Sequence, residues 1–78
     1  MLKPDFNGEY SLGIARNMRC ARVIVAGLHE MAVTHHTNRA DDTEFSYCIV
    51  TRKRPTKEQM AFAAAYISGV NDADRIWS

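Results

Sequence analysis

From Ser11 onward, apolar residues recur at helical spacing. Ile14, Met18, Ala21 and Val25 follow one another at steps of four, three and four, which is one face of a 3.6-residue period. Ser11 is a suitable N-cap for such a helix. Arg16 and Arg19 fall on the opposite side of the wheel, with Arg22 on its shoulder. The end of this helix has two readings. Gly27 suits the left-handed position after a helix end, with Leu28 packing back on Val23. Leu28 and Ala32 nevertheless continue the stripe, and running through Gly27 would cost ~1 kcal/mol. The β-branched Val23, Ile24 and Val25 add a mild preference for strand. Termination at Gly27 is the favoured reading.

Beyond Gly27 the period changes. Met31, Val33 and His35 alternate with Ala32, Thr34 and His36, and Asn38 to Asp42 has turn composition. Thr43 to Arg52 is the clearest strand, with Phe45, Tyr47 and Ile49 on one face and Ser46, Cys48 and Val50 on the other. These segments predict a hairpin with a loop of about five residues. Pro55 blocks continuation, and Thr56 with Gln59 forms a capping box for a last helix. That helix is expected to end near Gly69, leaving Asn71 to Ser78 as a turn and a short tail that holds Ile76 and Trp77. The predicted architecture is small α+β: an irregular N-terminal arm over residues 1–10, then one domain over 11–78 in the order helix–strand–strand–helix around a two-stranded antiparallel hairpin.

The last helix is unusual. Met60 to Val70 carries no charge and only Tyr66 and Ser68 as polar side chains. On the wheel Met60, Ala63, Ala64 and Ile67 make one face, and Phe62 and Tyr66 make a second. A helix apolar on most sides is normally buried, yet a 78-residue chain hides only roughly 60% of its unfolded surface. The second face needs a neighbour: the first helix, a twin chain or a target. A two-stranded hairpin is also marginal alone, and two of them pairing edge to edge would complete a four-stranded sheet in a dimer, the commonest kind of oligomer.

Composition narrows the function. The formal net charge of +1 speaks against a uniformly basic nucleic-acid binder. Two cysteines, Cys20 and Cys48, without a secretory signal make no disulfide framework, and a reduced cytoplasmic setting is the expectation. No run approaches the ~20 apolar residues of a membrane span.

Candidate chemistry is sparse. His29, Glu30, His35 and His36, with Asp41, Asp42 or Cys48, invite a metal reading, but the residue four after His29 is Val33 and no Cys-x-x-Cys pair exists. On a strand, His35 and His36 would point to opposite faces. Cys48 beside a histidine lacks a third orienting group, and the glycines are too scattered to cradle phosphate. No metal, cofactor or catalytic residue is assigned, and the chain is expected not to be an enzyme. Two basic clusters remain: Arg16, Arg19 and Arg22, and then Arg52, Lys53, Arg54 and Lys57. Converging, they would contact phosphates, with Tyr10 or Tyr47 nearby for stacking.

Thr56, Gln59, Phe62, Tyr66, Gly69 and Asn71 resemble the opening helix and turn of the DNA-binding segment in phage small terminase subunits. The resemblance covers less than a third of the chain. It implies a turn near Gly69 followed by a recognition helix, for which no chain remains after Ser78, and Arg75 stands where a helix-turn-helix wants an apolar residue. The expectation is therefore a small non-enzymatic regulatory or inhibitory protein, of the kind often encoded by phages or mobile elements. It would act by contact with a larger protein or complex through Phe62, Tyr66 and Trp77, with Arg16 and Arg19 at the rim. The alternative is a small dimeric nucleic-acid-binding protein using the two basic clusters.

Overall fold

A computed structural model describes residues 8–38 and 46–77. Strand β1 (Tyr10–Ala15) leads into helix α1 (Met18–Gly27), a single 3₁₀ turn at His29–Met31, strands β2 (Val33–Asn38) and β3 (Ser46–Thr51), and helix α2 (Lys57–Trp77). The sheet has three strands in the order β1-β3-β2, with β3 antiparallel to both neighbours. β1 and β2 therefore run the same way with β3 between them, a split β-α-β arrangement whose crossover is α1. Asn38, expected in the turn, instead ends β2 opposite Ser46, and the rest of the predicted loop, with Asp41, Asp42 and the start of the second predicted strand, lies outside the described residues, as does the N-terminal arm up to Asn7.

The predicted antiparallel pairing is present, with Val33 opposite Thr51 and His36 opposite Cys48, but Met31 and Ala32, expected in the first strand of the hairpin, lie in the 3₁₀ turn and at its left-handed end. Strand β1 departs from the prediction altogether. Ser11 does not cap a helix; it lies in β1, opposite Val50. The physical reason is a better cap downstream. The Asn17 side chain accepts a hydrogen bond from the Cys20 N–H at 2.8 Å, so α1 starts nearly two turns later and buries Cys20 and Ile24 beside Ala21, the one fully buried member of the predicted stripe. Ile14 is half exposed. It pairs with Cys48, on the sheet face away from the core residue Ile49.

Gly13 explains why this segment is extended. It sits at φ +155°, and a Cβ there would lie 3.0 Å from the Ile67 side chain. β1 thus passes close under α2, with an irregularity at Leu12 where its register against β3 shifts.

α1 ends at Gly27 as favoured, though the left-handed residue is Ala32 at φ 52°. Gly27 instead admits a close approach: a Cβ would collide with the ring and hydroxyl of Tyr66. Leu28 goes into the core and Val23 stays outside, so the expected contact between them is not the cap's purpose. The core unites Ala15, Ile24, Leu28, Ile49, Ala63 and Ile67 with their buried neighbours between the helix layer and one sheet face.

The capping box forms in both directions. The Thr56 N–H donates to Gln59 Oε1 at 2.9 Å and the Gln59 N–H to Thr56 Oγ1 at 3.1 Å. α2 then runs unbroken through Gly69 to Trp77, past its expected end. Asn71 and Asp74 hold the extra turns in place. Asn71 donates to the Ile14 carbonyl at 2.8 Å and accepts from the Arg16 N–H at 3.0 Å. These tertiary bonds outweigh the ~1 kcal/mol propensity cost of a mid-helix glycine. An unbroken helix also removes the turn that the terminase resemblance implied.

Candidate protein-binding face

α2 turns Met60, Ala63 and Ile67 inward, while Ala64 is exposed at the edge of that face. Its opposite side is mostly apolar and open. Phe62 is 58% exposed, Ile76 76% and Trp77 87%. Between them Ala65, Gly69 and Ala73 are also exposed. Val23 of α1 joins this surface at 45% exposure. Extending α2 is what assembles the face: Ile76 and Trp77, expected in a loose tail, fall on the same helix as Phe62, about four turns further along.

Tyr66 is half-buried and divides the seam between the helices. Its ring stacks on Phe62 with centroids 6.1 Å apart and planes 8° apart, and its hydroxyl reaches toward the Val23 carbonyl at 3.4 Å. An apolar depression lies on each side. One, of about 300 Å³, is lined by Arg19, Cys20, Val23, Val70, Ala73, Asp74 and Trp77. The other, of about 240 Å³, is lined by Leu28, Met31 and Phe62 with Gly27, Gln59, Glu30 and Glu58.

Arg16 and Arg19 sit at one end of the seam, held by Asp74. Arg19 donates from Nε and Nη2 to Asp74 Oδ1 at 2.9 and 2.7 Å, and Asn17 donates to Oδ2 at 2.9 Å. Arg16 Nη1 stands 3.6 Å away. The hydrogen bond from Arg19, then that from Asn17, holds the Asp74 carboxyl below the usual carboxylate range, and Asp74 in turn pushes Arg19 up. Burial raises the thiol of Cys20. These arginines tie α1 to the end of α2.

The second basic cluster lies elsewhere. Arg52, Lys53, Arg54 and Lys57 are exposed between β3 and the start of α2. Lys57 and Asp74 are separated by about 26 Å of helix at 1.5 Å per residue. The structure does not bring the two clusters together. Arg22 is exposed on the outside of α1.

On the far sheet face, the buried Glu9 carboxylate meets His36 Nε2 at 2.9 and 3.1 Å, with Arg52 Nε at 4.0 Å. His36 shares that face with its cross-strand partner Cys48, whose sulfur lies 3.4 Å from Ser11 Oγ. His35 points to the other face and meets the edge of Tyr47 at 5.5 Å. Among the described residues, no three His, Cys, Asp or Glu side chains come together as a metal site, and no helix is long and apolar enough to cross a membrane.

Fold and face together define a small α+β protein with an apolar stripe on the outside of its helix layer. Comparison with family models, curated proteins and solved structures finds no match to this chain.

Sequence reasoning singled out Phe62, Tyr66 and Trp77 but missed Val23, Gly69, Ala73 and Ile76 as members of the same surface. The available signal was the helical spacing from Phe62 through Gly69 to Ile76, hidden by ending the helix at Gly69.

Proposed function

We propose that this is a small non-enzymatic protein that regulates or inhibits by protein–protein contact through the outer face of its helix layer. One observation carries the reading: Phe62, Ile76 and Trp77, large apolar side chains, are exposed along one side of a single helix. Protruding aromatics beside apolar depressions are the usual anchors of a protein interface, and helix faces are a common docking mode. Arg19 supplies a polar rim while remaining paired with Asp74. Tyr66 acts more as the divider of the seam than as a free anchor.

Self-association belongs to the same reading. Edge-to-edge pairing of two three-stranded sheets would give six strands rather than four, and the irregularity at Leu12 blunts the β1 edge. The nucleic-acid alternative needs two basic clusters to act together, and α2 holds them apart at its two ends.

The test is affinity capture from the native host with the wild-type chain and with Phe62→Asp and Trp77→Asp variants. Both positions are exposed, and circular dichroism of each variant checks that the fold is kept. The reading expects specific partners retained by the wild type and lost by both variants; equal capture by all three would defeat it.

A further inference from the structure

We infer that the outer helix face is self-complementary and takes a second copy of this chain, the two α2 helices crossing antiparallel about a two-fold axis at Gly69. The inference rests on the protein-contact reading and names its partner. Five positions of α2 read alike from either end, whereas Tyr66 and Asp72, three residues to either side of Gly69, differ. Phe62 lies seven residues before Gly69 and Ile76 seven after it, while Ala65 and Ala73 lie four to either side. All five positions are exposed. A two-fold axis at Gly69 sets Phe62 of one protomer against Ile76 of its partner, Ala61 against Trp77, Ala65 against Ala73, and glycine against glycine. A Cβ added at Gly69 would meet open space, so nothing within the monomer calls for a glycine there. At a helix crossing, that missing side chain lets two backbones approach closely.

The depressions follow the same symmetry. The axis carries Phe62 of one protomer to the partner's depression beside Val23, Val70 and Ala73, and Trp77 to the one beside Leu28 and Met31. Each end thus offers one aromatic and one cavity, and each finds its complement in the opposite end. Charge agrees. At the Trp77 end Arg16, Arg19 and Arg22 outnumber Asp74, which pairs with the first two, whereas Glu30 and Glu58 line the Phe62 end. Antiparallel stacking opposes basic to acidic ends; parallel stacking would oppose like to like.

The size of the face sets the strength. Phe62 to Ile76 spans about 21 Å, and two packed helices are about 20 Å wide, giving roughly 400 Å² of projected area per copy. The two copies together give about 800 Å², roughly half the standard size of a specific interface, which points to a weak, transient dimer.

Sedimentation equilibrium over a concentration series tests the second copy. The wild type should move from one toward two chain masses as concentration rises to ~0.5 mM, the range of a weak complex. Gly69→Arg places two like charges on the axis and should weaken association at least tenfold. Its thermal midpoint, measured below the association range, should hold or rise, because arginine favours helix over glycine. A wild type that stays monomeric to ~0.5 mM overturns the inference, as does a Gly69→Arg variant that dimerises unchanged.

Cross-linking tests the axis. In a Cys48→Ser background, Gly69→Cys alone should give a disulfide-linked dimer under mild oxidation. Ala65→Cys and Ala73→Cys should link to each other when mixed and neither to itself. Self-linkage at Ala65 overturns the antiparallel geometry. A monomeric wild type whose host partners are still lost on Phe62→Asp would remove the second copy while leaving the protein-contact reading intact.

Discussion

The two sides of α2 carry apolar residues of similar kind but meet different surroundings. Inward, Ala63 and Ile67 are almost fully buried against β1 and the rest of the core, and polar ties from Asn71 and Asp74 lock the same helix to the β1–α1 turn. Outward, Phe62, Ile76 and Trp77 are more than half exposed and close no core. The difference separates folding from recognition within one helix. Changes on the inner side should be read in stability, and changes on the outer side in association.

The strongest way to break that division is at Ile67. Removing most of this buried side chain by Ile67→Ala should cost ~2–4 kcal/mol in urea unfolding; a near-neutral result would mean that the inner side is not the core. Gly27→Ala comes next. The new methyl must displace the Tyr66 ring, an overpacking expected to cost ~1–3 kcal/mol by the same measurement. Asn71→Ala removes both links to the β1–α1 turn, for a loss of ~1–2 kcal/mol and increased amide exchange over the last turns of α2. A variant as protected as the wild type would show that these turns hold themselves.

Acid sharpens the comparison further. The Asp74 carboxyl is depressed by Arg19 and Asn17 in the folded state. Its contribution is present above the unfolded carboxylate value of about 3.9 and is lost as pH falls through the lower folded value. Acid titration followed by NMR should therefore release the Arg19 end of the seam below about pH 4; no change there down to global unfolding would contradict the pairing. The smallest stability effect is expected on the outer side. Phe62→Ala should cost only about 0.5–1 kcal/mol, the stacking on Tyr66 included, while association falls much more.

Much of this was legible in the chain. The alternation around Ile49 marked the hairpin, and Thr56 with Gln59 marked the start of α2 to the residue. β1 was hidden because Ile14 and Met18 happen to fit the helical period of α1, and because its extended form depends on a non-local event, the approach of Ile67 to Gly13. α2 beyond Gly69 was hidden for the same kind of reason. Glycine and asparagine read locally as a stop, but Asn71 spends its side chain on the Ile14 carbonyl and the Arg16 N–H, 57 and 55 residues away in sequence. The candidate face was therefore half visible. Phe62 and Tyr66 stood out, while Ile76 and Trp77 joined them only once the helix was carried through. Asp74 showed no pattern that would mark it as the anchor of Arg19.

The most direct test is a concentration series of amide NMR spectra on the unmodified chain. Shifts that move with concentration should cluster at Phe62, Ala65, Gly69, Ala73 and Ile76 and on the facing side of α1, with the sheet unchanged. Movement along the outer edge of β1 or β2 instead, or no movement at any concentration, would contradict the assignment of association to the outer side of α2.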